Sequence, residues 1–320
     1  MSPYFLAAVV AAFPHSAAVG VPWQATVGVR AVVADGPSTL RATGTPLRRG
    51  GYRVTFRFPQ PGTWRVRTAG GKGLGVVRVD VRRDPLLVDP FAIAVDADGA
   101  LLVGQRDTGP LLRLAGGRAR VAARGVGVFH VAPSGYVAAS DGAVYRLAGS
   151  AFERVTPTLD ANAVAADGAG NIYVTIYDGF VKRIAPGGAV KTLASGLEHP
   201  HSLALGDGVL YVADTEARRL RRIDLATGAM TAFGGDVGIV VALAVAPDGT
   251  VWSVDVPRDG AGGGVMRTTR DGITGRVSTL RDANGIAVAP GGAVYVNRWQ
   301  AKRIDRLDVR TGRLEPIARG

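Results

Sequence analysis

The sequence contains no cysteine, so a disulfide framework, a thiolate zinc site, an iron–sulfur cluster and a cysteine nucleophile are excluded together. It has no apolar run long enough to span a bilayer as a helix, although 47% of its 320 residues are hydrophobic. Helical periodicity is scarce. With 45 Gly and 18 Pro, the pattern favours many short strands joined by tight turns. Signals for a nucleotide are missing too: no Gly-x-x-x-x-Gly-Lys-Ser/Thr loop occurs, and the glycine-rich stretch Gly260-Ala261-Gly262-Gly263-Gly264 lies between strand patterns rather than ahead of a helix. No nucleotide cofactor is expected, and no Gly-x-Ser-x-Gly elbow supports a serine hydrolase.

Positive charge, by contrast, is plentiful and unevenly placed. The formal net charge is +12, and only Lys72, Lys182, Lys191 and Lys302 among the 38 basic residues are lysines. Residues 1–88 hold 12 basic and 3 acidic residues, a balance of +9, whereas residues 89–320 hold 26 and 23, a balance of +3. Two parts of different electrostatic character follow one another. The apolar run from Phe5 to Phe13 has the length of a secretory signal core, but no Lys or Arg precedes it. Continued through Phe13 to Gly20 into Trp23, the same region also reads as the edge strand of a sandwich.

From Trp23 to about Arg83 the apolar residues alternate with polar ones, broken by turn signals at residues 34–37, 48–51 and 59–62. Read as a hairpin, residues 52–58 and 63–67 place Tyr52, Val54, Phe56, Phe58, Trp64 and Val66 on the inner face and Arg53, Arg57, Arg65 and Arg67 on the other. Such a face suits either solvent or an anionic surface. It carries no interleaved aromatic residues for base stacking, so no nucleic acid is expected. The phrase Gly-Tyr-x-Val-x-Phe followed by Pro-Gly-Thr-Trp resembles immunoglobulin-like (Ig-like) modules of bacterial envelope proteins. The stretch from Asp84 to Pro90, with two prolines, reads as a stiff link.

The rest of the chain repeats itself. An apolar strand, a turn and a second strand recur six times, with turn glycines at Gly99, Gly135, Gly170, Gly208, Gly249 and Gly292, spaced by 36, 35, 38, 41 and 43 residues. Two further strand-like segments complete each unit. A lone four-stranded sheet cannot bury both faces, but radial stacking covers each sheet with its neighbours, so period and strand count point to a closed ring. The expected fold is all-β: an Ig-like β-sandwich over residues 1–86 and a six-bladed β-propeller over residues 87–320.

His199-Pro200-His201-Ser202-Leu203-Ala204-Leu205, Leu210-Tyr211-Val212-Ala213-Asp214-Thr215 and Asn284-Gly285-Ile286-Ala287-Val288 carry a resemblance to six-bladed NHL-repeat propellers and to the related gluconolactonase and senescence-marker family. That resemblance implies a ligand site on the channel face, where the loop leading into each innermost strand and the loop leaving the next strand both open. The leading ring is Phe91, Gly127, Asn162, His201, Val241 and Asn284. The trailing ring is Gln105, Ser140, Ile176, Asp214, Asp255 and Arg298.

Two readings follow. The first is a propeller that binds a small polar molecule or a peptide at this face, through His201, Arg298 and Gln105. The alternative is a metal-dependent lactonase or ester hydrolase, with Asn162, Asn284, Asp214 and Asp255 as ligands for Ca, Mg, Mn or Zn and with His201 and Asp255 in catalysis. The first-sheet Glu of the lactonase pattern has no counterpart, since Pro90-Phe91-Ala92 stands there. A streptogramin-lyase-like elimination lacks its Glu as well. Structural roles compete at each position: an inter-sheet hydrogen bond for His201, turn closure for Asp214 and Asp255, and core packing for His130. An Ig-like module ahead of a propeller suits the cell envelope or secretion, which the uncharged start of the chain does not support.

Overall fold

The computed structural model describes residues 16–320 apart from 19–21, 28–30, 44, 47–51, 59–61, 81–85, 107–108, 117, 257–262 and 281. The apolar run at Phe5 to Phe13 and most of the glycine-rich stretch near Gly260 lie outside the described residues. The chain divides into two units, Met1–Arg83 and Asp84–Gly320, slightly earlier than expected. Leu87, read above as part of the link, packs in an apolar cluster with Ile93, Val103 and Ile304, and Pro90 begins a strand.

In the first unit, alternation sends one set of side chains inward from two sheets. The five-stranded sheet runs Ser16–Ala18, Gly73–Asp80, Gly62–Thr68, Ala31–Asp35, Thr39–Thr43, and the three-stranded sheet runs Pro22–Val27, Tyr52–Arg57, Thr45–Pro46. Both contribute to one core of Ala25, Val54, Phe56, Phe58, Trp64, Val66 and Val77. The expected hairpin is not formed. Tyr52–Arg57 pairs with Pro22–Val27, while Gly62–Thr68 pairs with Ala31–Asp35 and Gly73–Asp80. Burial explains the difference, because Val54 and Phe56 from one sheet and Trp64 and Val66 from the other fill a single core between them only when their strands lie in opposite sheets. Arg53 and Arg57 therefore face outward from one sheet and Arg65 and Arg67 from the other. Arg67 Nε is held by Asp35 at 2.5 Å within its own sheet. The four arginines do not share a face.

Among the described residues of the second unit, six four-stranded antiparallel sheets follow one another, each with its strands in simple chain order. Their first strands are Pro90–Val95, Val128–Val131, Ala161–Ala166, Pro200–Gly206, Ile239–Val245 and Ala283–Val288. Each first strand lies against the next, and the sixth lies against the first, so the six close a ring around a central channel. This is a β-propeller.

One apolar cluster fills each junction, as radial stacking requires. Ala92, Ala94 and Leu102 meet Val128, Val131 and Val137 between the first two sheets, and Tyr211 and Phe233 meet Val240 and Leu243 between the fourth and fifth. Among the described residues no strand is shared at the closure. Ile93 and Leu112 pack on Ala287, Ile304 and Ala318, while Asn297 Nδ2 donates to the Pro90 carbonyl at 2.7 Å.

The turn glycines all adopt left-handed backbone, with φ between +73° and +82°. In the fourth sheet Asp207 (φ +49°) and Gly208 (φ +73°) form the two-residue link expected of a tight hairpin. These turns lie at the end of the innermost strands opposite the candidate site.

Candidate functional site

Every innermost strand carries a one-residue irregularity near its start. The register skips Phe91, Phe129, Asn162, His201, Val241 and Asn284 in the six sheets in turn. A bulge leaves its extra residue out of the ladder and re-aims the side chain. All six of these side chains line a single cavity of about 140 Å³ at the channel mouth, together with Ala92, Ile93, His130, Ala242, Leu243, Gly285 and Ile286.

The leading ring is thus present with one correction. Phe129, not Gly127, is the residue of the second sheet. Eight residues separate bulge from turn glycine in four sheets, but the second sheet's inner strand is the short Val128–Val131 and its bulge lies only six residues before Gly135. Counting back by the common spacing falls on Gly127.

The ring side chains bind their neighbours. Asn284 Nδ2 donates to the Phe91 carbonyl at 3.1 Å, and Asn162 Nδ2 reaches the Pro200 carbonyl at 3.4 Å. Each of these bonds joins one sheet to the bulge region of the next. Phe91 and Phe129 instead pack ring on ring at 6.0 Å, and Arg106 lies over Phe91 at 4.4 Å and over the Trp299 ring at 5.5 Å. Between the third and fourth sheets the exposed Tyr177 stacks on His199 at 4.3 Å.

The trailing ring lies elsewhere. Gln105, Asp214, Asp255 and Arg298 do not line the cavity; they sit on second strands and tie down nearby loops. Gln105 Oε1 accepts from the amides of Val88 at 2.7 Å and Asp89 at 3.0 Å. Asp214, fully buried, accepts from the Glu198 amide at 2.6 Å and pairs with Arg221 at 2.9 Å. Asp255 accepts from the Gly264 amide at 2.8 Å, and Arg298 Nε donates to Asp282 at 2.6 Å. A second strand stands about 4.8 Å farther from the axis than the first, so its side chains face loops and adjacent sheets. Of the four expected metal ligands, Asn162 and Asn284 are at the mouth, while Asp214 and Asp255 are not. Among the described residues no group of three His, Asp or Glu side chains is placed to hold a metal.

His130, expected to pack in the core, also lines the cavity. It follows the bulge at a position where the other sheets have Ala92, Ala163, Ser202, Ala242 and Gly285. Its Nδ1 accepts from the Val164 amide at 3.4 Å. Burial, with the nearby His201 charge adding to it, pushes the His130 pKa down to about 4, and burial also lowers that of His201. Both rings are neutral at pH 7.

Because the unfolded His130 titrates near 6.5 and the folded one near 4, both states are neutral above pH 6.5 and the residue is then indifferent to pH. As pH falls from 6.5 to 4 the unfolded chain takes up a proton that the folded ring refuses, so stability declines, by about 3 kcal/mol at the acid end. In urea titrations at pH 7.5, 5.5 and 4.5, the stability difference between wild type and His130→Gln is expected to shift against wild type as pH falls. A difference independent of pH rules out this environment for His130.

No family model matches the chain, and no curated protein matches it in sequence. Solved structures do. A selenomethionine-substituted virginiamycin B lyase from Staphylococcus aureus is 18% identical with a TM-score of 0.54, over 72% of this chain and 84% of that one. A catalytically inactive histidine-to-alanine form of the same enzyme, with quinupristin, is 18% identical with a TM-score of 0.50, over 72% and 85%. A protein of unknown function from Bacteroides thetaiotaomicron is 15% identical with a TM-score of 0.58, over 92% and 96%, a larger share of this chain than the second unit alone. At these identities the likeness is one of fold.

Proposed function

We propose that the chain is a ligand-binding, six-bladed β-propeller of the NHL-repeat type behind an Ig-like unit, and that its ligand is a small uncharged molecule held by hydrogen bonds at the channel mouth. The observation that carries this reading is the chemistry of the cavity wall: among the described residues that line it, none is Asp, Glu, Lys or Arg. Asn162 and Asn284 offer amide donors and acceptors, the two histidines are neutral, and Phe91 and Phe129 supply an apolar side. A wall of this kind rewards a neutral partner and penalises a charged one, and Arg106 beside it is engaged with the Phe91 and Trp299 rings.

The lactonase reading requires a hard cation with carboxylate oxygen at the mouth, and among the described residues that line the cavity there is no carboxylate. It is not carried further.

The test is thermal stabilisation by neutral sugars, lactones, amides and cyclic dipeptides beside carboxylate and amine counterparts of equal size. Neutral compounds are expected to stabilise, and Asn162→Ala, whose amide is only loosely engaged at 3.4 Å, is expected to weaken binding about tenfold with little change in Tm. Saturable stabilisation by charged compounds alone overturns the reading. So does stoichiometric Ca²⁺, Zn²⁺ or Mn²⁺ retained after dialysis and lost in Asn284→Ala.

A further inference from the structure

Below the mouth a second cavity of about 270 Å³ runs between the inner strands. It shares Ile93, His130, Leu243 and Ile286 with the mouth, so the two cavities adjoin along the channel. Apart from His130 and Ser134, every residue of its wall is Ala, Val, Leu, Ile or Pro. The width has a cause in the repeat. The third residue after each bulge is alanine in all six sheets (Ala94, Ala132, Ala165, Ala204, Ala244, Ala287), and five of these line the lumen.

The side chains that meet the lumen are largely aliphatic, and an apolar group that displaces loosely held water from them gains affinity. We propose that this lumen takes an extended aliphatic chain, so that the ligand is an uncharged amphiphile whose polar head sits among Asn162, His201 and Asn284; the head placement rests on the reading of the mouth above. The occupant's size follows from the volumes. An apolar cavity of about 150 Å³ holds benzene, so the 270 Å³ found here corresponds to a chain of about ten carbons. From His201 to Leu205 the strand rises about 13 Å, which calls for an extended chain rather than a compact apolar body. The lower wall has no aromatic side chain to select a flat ring, and no cation to hold an ionised head.

The experiment is calorimetric titration with 1-alkanols from butanol to decanol, the hydroxyl serving as a minimal neutral head, with octanoate as the charged control. Affinity is expected to rise about three- to fourfold per methylene and to level off near ten carbons. Octanoate is expected to bind at least tenfold more weakly than octanol. Ala204→Leu with Ala244→Leu, both half-buried on the lumen, should leave butanol unaffected and abolish the gain with length. If the double variant does not fold by circular dichroism, Ala204→Val alone should reduce that gain.

Affinity independent of length, or the same gain in the filled variants, overturns the proposal. Asn162→Ala separates the two readings. A flat series that still responds to it fails the lumen and keeps the mouth, whereas a rising series indifferent to it overturns the placement of the head.

Discussion

Asp214→Ala is expected to destabilise the second unit by about 3–5 kcal/mol, because it leaves Arg221 without its carboxylate in a largely buried place and the Glu198 amide without its acceptor. The loss should appear as a fall of about 10 °C in the thermal transition of that unit. Asp214→Asn keeps an acceptor for the amide but loses the charge, and is expected to fall between the two. The effect reaches the mouth as well, since Glu198 lies just ahead of Pro200 and the bulged His201. This outcome separates a structural carboxylate from the metal ligand that the sequence suggested. A ligand-only Asp214 would lose a bound ion while its stability stayed within about 1 kcal/mol of wild type.

Trp64→Ala is expected to cost the first unit about 3–5 kcal/mol, comparable with the whole stability of a domain of this size. Trp64 is wholly buried, its ring lies 5.0 Å from that of Phe58, and a Cβ on Gly36 would come within 2.6 Å of it. No smaller side chain fills that volume. The apolar cluster around it consists of first-unit residues only, so the transition of the first unit should weaken or vanish while that of the second stays in place. Differential scanning calorimetry resolves the two. A parallel loss in both transitions would show that the units do not melt independently.

Much of the second unit was legible because its signals are local. A turn glycine is marked by its left-handed backbone, a strand by alternation, and the six glycines at near-regular spacing mark a repeat. Four of the six leading-ring residues fall eight positions before their turn glycine, and His201 falls seven before Gly208. The residue of the second sheet departs from that spacing, because the short inner strand Val128–Val131 moves its bulge to Phe129.

The sequence by itself determined what each strand hides and shows, where each turn falls and how many times the unit recurs, since these depend on residues a few positions apart. Only the tertiary structure decided which strands pair and where polar side chains end up. Burying Phe56 and Trp64 in one core set their strands in opposite sheets and parted the arginines. The bulges turned Asn162, His201 and Asn284 toward the axis, and the position of the second strands turned Gln105, Asp214 and Asp255 toward loops. Pairing and register bury surfaces contributed by distant parts of the chain, and no local pattern carries that information.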